Sequence, residues 1–240
     1  MPIYPRIELK YFDVRGRAQF LRYFLLCRDI SFADDRLPLG AGFEAWQAIR
    51  PDRSITGPFQ KLPVLRWGDH MIAETTVIAS FLHRASGDAG LLSENENVRH
   101  EMLISSVYID LMMSIGILLW SEVTFAGADV GTTSKRALER IQGHLAVLDR
   151  TLVEWQWLER AASRPVMVAD CILWDQVNSA QYVFGGKISL DATPALARFY
   201  CDCPGREAFE RLLHAKPCPV TARPGEAECV ARIHELVASP

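Results

Sequence analysis

The chain has 240 residues, 49% of them hydrophobic and 23% charged, with a formal net charge of −3, the make-up of a globular protein with one large or two small cores. No basic block is present, so the charge pattern gives no reason to expect a nucleic acid or an anionic membrane as partner. Six unevenly spaced cysteines do not form a secreted disulfide framework, and the opening MPIYPRIELKYF has neither the charged head nor the apolar core of a signal peptide. A cytoplasmic location is expected.

Residues 7–85 alternate strand and helix signals. Ile7-Glu8-Leu9-Lys10-Tyr11 alternates apolar and polar, the period of a half-exposed strand. Arg15-Gly16-Arg17 reads as a turn, after which Ala18, Leu21, Leu25 and Leu26 share one helical face. A second strand is expected over 31–37 and a short helical piece over 41–50. Pro63 heads the apolar Val64-Leu65, and strands near 63–67 and 70–73 join through Gly68-Asp69 as a hairpin. A helix follows from Thr75 to about Arg84. The order β-α-β then β-β-α describes a small mixed sheet with helices on its faces, thioredoxin-like.

Residues 87–97, GDAGLLSENEN, are polar and turn-rich and form the expected linker between a first domain, 1–86, and a second, 98–240. In the second, helical periods cover about 98–124, 134–161, 168–183, 192–202 and 205–214, with breaks at 127–133 and 185–186. This is the pattern of a helical bundle. The most apolar stretch, 102–119, is interrupted by Ser105, Ser106, Asp110 and Ser114 and reads as a buried helix rather than a membrane span. The tail from 216 carries four prolines and a short amphipathic pattern, Val230, Ile233, Leu236 and Val237, suited to folding back over the body.

The stretch KLPVLRWGDHMIAET (61–75) is the most informative about function. A proline at the head of a strand removes a ladder donor, so the main chain of Leu62 is available to something other than the sheet. Thr75, opening a helix, offers its hydroxyl and free N–H groups to a carboxylate. Together they suit an extended peptide.

These elements, with Tyr11-Phe12-Asp13-Val14-Arg15-Gly16-Arg17-Ala18 at the first strand-to-helix turn, resemble the cytosolic glutathione transferases over nearly the whole chain to about residue 214. The closest flavour is the tyrosine-type classes, sigma in particular. The resemblance implies a homodimer that binds glutathione and a hydrophobic electrophile, without a metal. Tyr11 would be the catalytic hydrogen-bond donor to the glutathione sulfur and Arg17 a source of positive field. A free thiol ionises near about 8.5, and each unit of depression requires about 1.4 kcal/mol of differential stabilisation, within reach of a charge-assisted hydrogen bond.

Further expectations follow from the resemblance. Glu74 and Thr75 would hold the γ-glutamyl group where the family has Gln-Ser or Glu-Ser, and Leu62, ahead of a cis Pro63, would pair with the cysteinyl main chain. Lys61 stands where Asn or Gln is usual. Trp46 and Arg50 would hold the glycine carboxylate, with Arg53 an alternative. Asp110 would reach the γ-glutamyl ammonium of the neighbouring subunit. Phe12, Val14, Tyr108, Met112, Met113 and Trp120 would line the second-substrate pocket. Asp170 matches the buried Asp of a helix-capping motif whose usual Ser or Thr is Met167 here. The turn 13–16 has no cysteine, so disulfide-reductase chemistry is not expected, and Cys201, Cys203, His214 and Cys218 lack structural-zinc spacing. The alternative is a non-catalytic ligand-binding or assembly module on the same fold.

Overall fold

The computed structural model describes residues 4–38, 43–124, 130–216, 219–221 and 225–238; the side chains of 120–124, 130–132 and 237–238 are outside the description. Strand β1, Ile7–Phe12, alternates buried and half-buried positions, as its sequence period requires. It pairs in parallel with β2, Ala33–Leu37, and antiparallel with β3, Val64–Trp67. β3 turns through Gly68-Asp69 into β4, His70–Ala73, which gives the order β2-β1-β3-β4. The right-handed crossover expected of parallel β1 and β2 uses α1, Gln19–Cys27. Two short helices, α2 over Glu44–Ile49 and α3 over Arg53–Thr56, lead to β3. The sequence gives no signal for α3, a single turn capped by Asp52, whose carboxylate accepts from Ser54 N at 2.8 Å. Helix α4, Thr75–Ala85, closes this part.

The remainder is helical. α5, Glu94–Ser106, starts on a capping box in which Ser93 and Glu96 satisfy each other's backbone N–H groups. It runs into a π-helical segment, Val107–Met112, and on into α6, Met113–Thr124. The continuous helix Glu94–Leu119, which contains the apolar stretch 102–119, is long and apolar enough to cross a membrane, but it packs on α7 and α9. The expected helix over 134–161 is in fact two, α7 (Val130–Glu154) and α8 (Trp157–Ala161), because Gln156 takes the left-handed conformation, φ +53°, between them. The break expected at 127–133 falls partly outside the described residues. Helices α9 (Val168–Phe184), α10 (Pro194–Asp202) and α11 (Arg206–Ala215) follow. The tail ends in α12, Glu226–Ala238, which packs on α7 and α9 with Val230 and Ile233 inward; the side chain of Val237 is outside the described residues.

The two parts share one apolar core. α1 is buried from Gln19 to Leu25 because it lies between the sheet and α9, and Tyr23 packs on Trp174 and Phe209 with ring centroids at 5.8 and 4.6 Å. Helix α9 is central and almost wholly buried. Asp170 fastens its start. Its carboxylate accepts from Met167 N at 2.9 Å, from Trp157 Nε1 at 2.9 Å and from both terminal nitrogens of Arg164. Methionine has no side-chain oxygen for the reciprocal bond, so the start of α9 is held by Asp170 and, through Ala169 N, by His100.

A second buried polar contact ties α4 to α5 and α9. His83 and His100 stack at 3.8 Å. His83 Nε2 lies 2.7 Å from Asn97 Oδ1, and His100 Nε2 accepts from Ala169 N at 3.2 Å. That acceptor role requires an unprotonated Nε2. Burial pushes His100 well below the usual 6.5, and the charges expected of His83 and Arg164 act in the same direction. A base held neutral in the fold takes up a proton on unfolding, so stability falls as pH drops through about 6.5. Thermal unfolding between about pH 7.5 and about pH 5.5 should therefore show a falling midpoint, and His100→Gln, whose amide oxygen can still accept from Ala169, should flatten that fall. A slope identical to that of the parent would refute the assignment.

Candidate active site

The ladder β1–β3–β4 brings three separated sequence features to one sheet end. Lys10 opposes Val64 and Val64 opposes Ala73, so the residues immediately beyond, Tyr11, Pro63 and Glu74, are neighbours by register. The Leu62-Pro63 bond is cis. The ladder begins at Val64, which leaves the main chain of Leu62 outside the sheet. Glu74 adopts φ +68°, rare for a residue with a side chain and typical of functional loops. Thr75 is buried, and its hydroxyl has no partner among the described residues, a free oxygen at the first turn of α4, where backbone N–H groups are also free.

Tyr11 is 7% exposed, and its hydroxyl oxygen accepts a hydrogen bond from Arg17 N at 3.2 Å. With one lone pair engaged, its own proton is available to a second acceptor. Burial raises the phenol above its usual 10.0, opposed by the Arg17 N–H and by the Arg17 and Arg22 charges, so at neutral pH Tyr11 is a donor. Arg17 also extends Nη2 to 3.7 Å from Met113 Sδ. Beneath the turn, fully buried Arg22 binds the carbonyls of Val14 and Phe12 and the carboxylate of Asp34. Arg15 forms a buried ion pair with Asp175 Oδ1 at 2.8 Å. Burial pushes the Asp175 carboxyl up, against the pull of Arg15 and of Gln176.

A cleft of about 360 Å³ opens beside Tyr11 between the two parts of the chain. Phe12, Arg17, Leu62, Met112 and Met113 line it, together with Ile115, Gly116 and Ile117 of α6, Asp175, Gln176 and Ser179 of α9, and Val220 and Thr221 of the tail. Of the pocket residues expected from sequence, Phe12, Met112 and Met113 are on its wall. Val14 is buried at 1% in the core, Tyr108 is half-buried and outside the lining, and the side chain of Trp120 lies outside the described residues, as does Cys218. Trp46 joins through aromatic packing on Phe12 at 5.5 Å, and the Arg50 guanidinium sits 6.0 Å from the Trp46 ring centre. Arg53 heads α3, with Lys61 exposed nearby in the chain. Asp110 is turned toward α7, 3.7 Å from Arg140 and 3.9 Å from His144.

Sequence reasoning did not find the α9 wall or Arg15. The period of α9 marks Asp175, Gln176 and Ser179 as polar residues in a buried run, a detectable signal; Arg15 resembles any turn arginine. The tail contribution was legible only as a tendency to fold back. Arg15 N and Gly16 N donate to the carbonyls of Pro219 and Val220 at 2.8 and 2.7 Å, and Glu226 accepts from Val220 N and Thr221 N at 2.7 and 2.6 Å. The tail is thus pinned onto the Tyr11 turn.

No family model matches the chain. It is 40% identical over 86 residues to hematopoietic prostaglandin D synthase of Gallus gallus, a match spanning 36% of this chain and 39% of that protein. It is 28% identical over 195 residues to glutathione S-transferase Mu 7 of Mus musculus, covering 80% of this chain and 84% of the relative. The solved structure of the Pi-class glutathione S-transferase of Onchocerca volvulus superposes with a TM-score of 0.69 at 24% identity, covering 90% and 97% of the two chains. A thioredoxin-like sheet followed by a helical body is the glutathione transferase fold. The chain is thus similar to glutathione S-transferases over most of its length and has their fold.

Two outcomes follow from the turn geometry. Gly16 has φ +40°, and a Cβ there would stand 2.6 Å from Tyr11 Oη and 2.9 Å from Cε1. Gly16→Ala should cost about 1–3 kcal/mol in denaturant unfolding and shift the Tyr11 ring resonances; unchanged stability and spectra would contradict the packing. Glu226→Ala leaves two buried N–H groups unpaired, so the Val220 and Thr221 amides should exchange at least about tenfold faster. Equal exchange rates would show that Glu226 does not hold the tail.

Proposed function

We propose that the protein is a glutathione-dependent transferase or isomerase in which Tyr11 activates the glutathione sulfur and the cleft holds an apolar electrophile. The observation that carries this reading is the Tyr11 hydroxyl: buried, held protonated, with a lone pair engaged by Arg17 N and no acceptor for its proton among the described residues. The buried hydroxyl of Thr75 beside Glu74, without a partner among the described residues, supports a ligand carboxylate at that point. Glutathione, when bound, supplies the nucleophilic sulfur.

In this reading Tyr11 donates its proton in a hydrogen bond to the thiolate without transferring it, while the Arg17 guanidinium adds a favourable field. The thiol proton leaves to water at the cleft mouth. Thr75 and the first N–H groups of α4 take the γ-glutamyl carboxylate, Glu74 its ammonium, and the main chain of Leu62 beside Pro63 the cysteinyl unit. Trp46 and Arg50, with Lys61, face the glycine end. Phe12, Met112 and Met113 enclose the electrophile, polarisable Met suiting varied shapes. In conjugation a sulfur–carbon bond forms and either a leaving group departs with its electron pair or an added carbanion is protonated by water. In isomerisation the sulfur is released again.

The same reading makes the protein a cytoplasmic homodimer. Phe59, Val77, Val98, Met102 and Ile109 are large exposed hydrophobics, three of them on α5 and the π segment and one on the adjoining α4, which suits a second copy. Residues 1–86 would form the glutathione-binding unit and 98–240 the helical one, with Asp110 serving the neighbouring site.

The test is retention on immobilised glutathione followed by titration of thiolate absorbance. The parent should show a bound thiol ionising below about 8.5. Tyr11→Phe should raise that value by about one unit or more, equivalent to about 1.4 kcal/mol, with a comparable fall in kcat/KM. Thiolate and turnover both unchanged would remove Tyr11 from the mechanism. Retention without a depressed thiol would mark a carrier.

A further inference from the structure

The walls of the cleft differ in chemistry. Met112, Met113, Ile115 and Ile117 make one side apolar, whereas α9 presents Asp175, Gln176 and Ser179. Gln176 and Ser179 are three residues apart and Asp175 and Ser179 four, so all share one helical face. Most of these polar groups are engaged. Asp175 is paired with Arg15 and accepts from Gln176 Nε2 at 2.8 Å, and Thr221 Oγ1 donates to Glu226 at 2.9 Å. Ser179 is the exception: it is 1% exposed, and its hydroxyl has no partner among the described residues. An interior helical serine ordinarily turns back on the carbonyl four residues earlier. Here that carbonyl, Asp175 O, accepts from Arg15 Nη2 at 3.3 Å.

A buried hydroxyl left unpaired is destabilising, and such groups mark places where a partner arrives from outside. We propose that the second substrate is amphipathic, an apolar body carrying one uncharged oxygen, a hydroxyl or carbonyl, that hydrogen-bonds to Ser179. This rests on the reading of the cleft as the electrophile site beside glutathione. A serine hydroxyl can both donate and accept, so either group fits. A carboxylate does not fit the α9 wall, because Asp175 is itself a carboxylate on that wall and the Arg15 charge beside it is already paired with it.

S-substituted glutathiones report on this directly, because their sulfur substituent must occupy the cleft. Dissociation constants are measured for butyl, hexyl and octyl derivatives, each ending in a methyl, a hydroxyl or a carboxylate group. At one of the three lengths the hydroxyl probe should bind about fivefold tighter than its methyl partner, the gain from one hydrogen bond, with the carboxylate weakest. Ser179→Ala should bring the hydroxyl probe to the affinity of its methyl partner. If methyl probes and glutathione bind but no length shows a hydroxyl preference, or if the preference survives Ser179→Ala, the Ser179 inference fails while the glutathione reading stands. If neither glutathione nor any probe binds, both fail.

Discussion

Everything in the site depends on the turn between β1 and α1 being held still, because it sets where the Tyr11 phenol lies. Four constraints converge on it. Arg17 N donates to the phenol oxygen; Arg22 binds the carbonyls of Phe12 and Val14; Arg15 is anchored to Asp175 on α9; and the N–H groups of Arg15 and Gly16 donate to the tail. The first two are local. The last two come from more than 150 residues away in sequence, so the phenol is positioned only when both parts of the chain have folded together. A buried Arg–Asp pair is a weak source of net stability, since desolvation offsets much of the attraction. Its value here is geometric, because an ion pair with one good arrangement fixes the angle between sheet and bundle.

The sheet and its helices were legible in the sequence because their signals are local and strong. The alternation of Ile7 to Tyr11, the Gly68-Asp69 turn and the polar helix starts each act within a few residues. What was not legible had tertiary causes. Helix α7 and α8 read as one because nothing in the residues around Gln156 forbids a continuous helix; the break is imposed by packing of Trp157 beneath Asp170. The single turn α3 depends on Asp52 capping four residues, too short a run to leave a period.

The π segment separates Tyr108, outside the cleft lining, from Met112 and Met113, which are on it: over Val107–Met112 the helix takes the wider i→i+5 spacing. Side chains past the insertion are rotated relative to those before it. Met112 and Met113 consequently face Arg17 and the cleft, whereas Asp110 meets Arg140 and His144 on α7 and Ile109 is left exposed. A regular helical period cannot anticipate this, because no residue type specifies a π-turn.

Electrostatically the cleft is divided in the same way as its walls. At the Tyr11 end Arg17 borders the cleft while the phenol stays protonated, so an anion is favoured there. On the α9 wall Arg15 and Asp175 cancel, leaving dipoles and no net charge. One cleft therefore presents an anion-favouring end and a neutral hydrogen-bonding side, with thioether and aliphatic surface between. A substrate polarised in the complementary sense, with electron-poor carbon toward Arg17 and Tyr11 and neutral oxygen toward α9, satisfies both at once. A uniformly apolar molecule leaves the Ser179 hydroxyl unpaired, and for a buried polar group that difference is what separates one ligand from another.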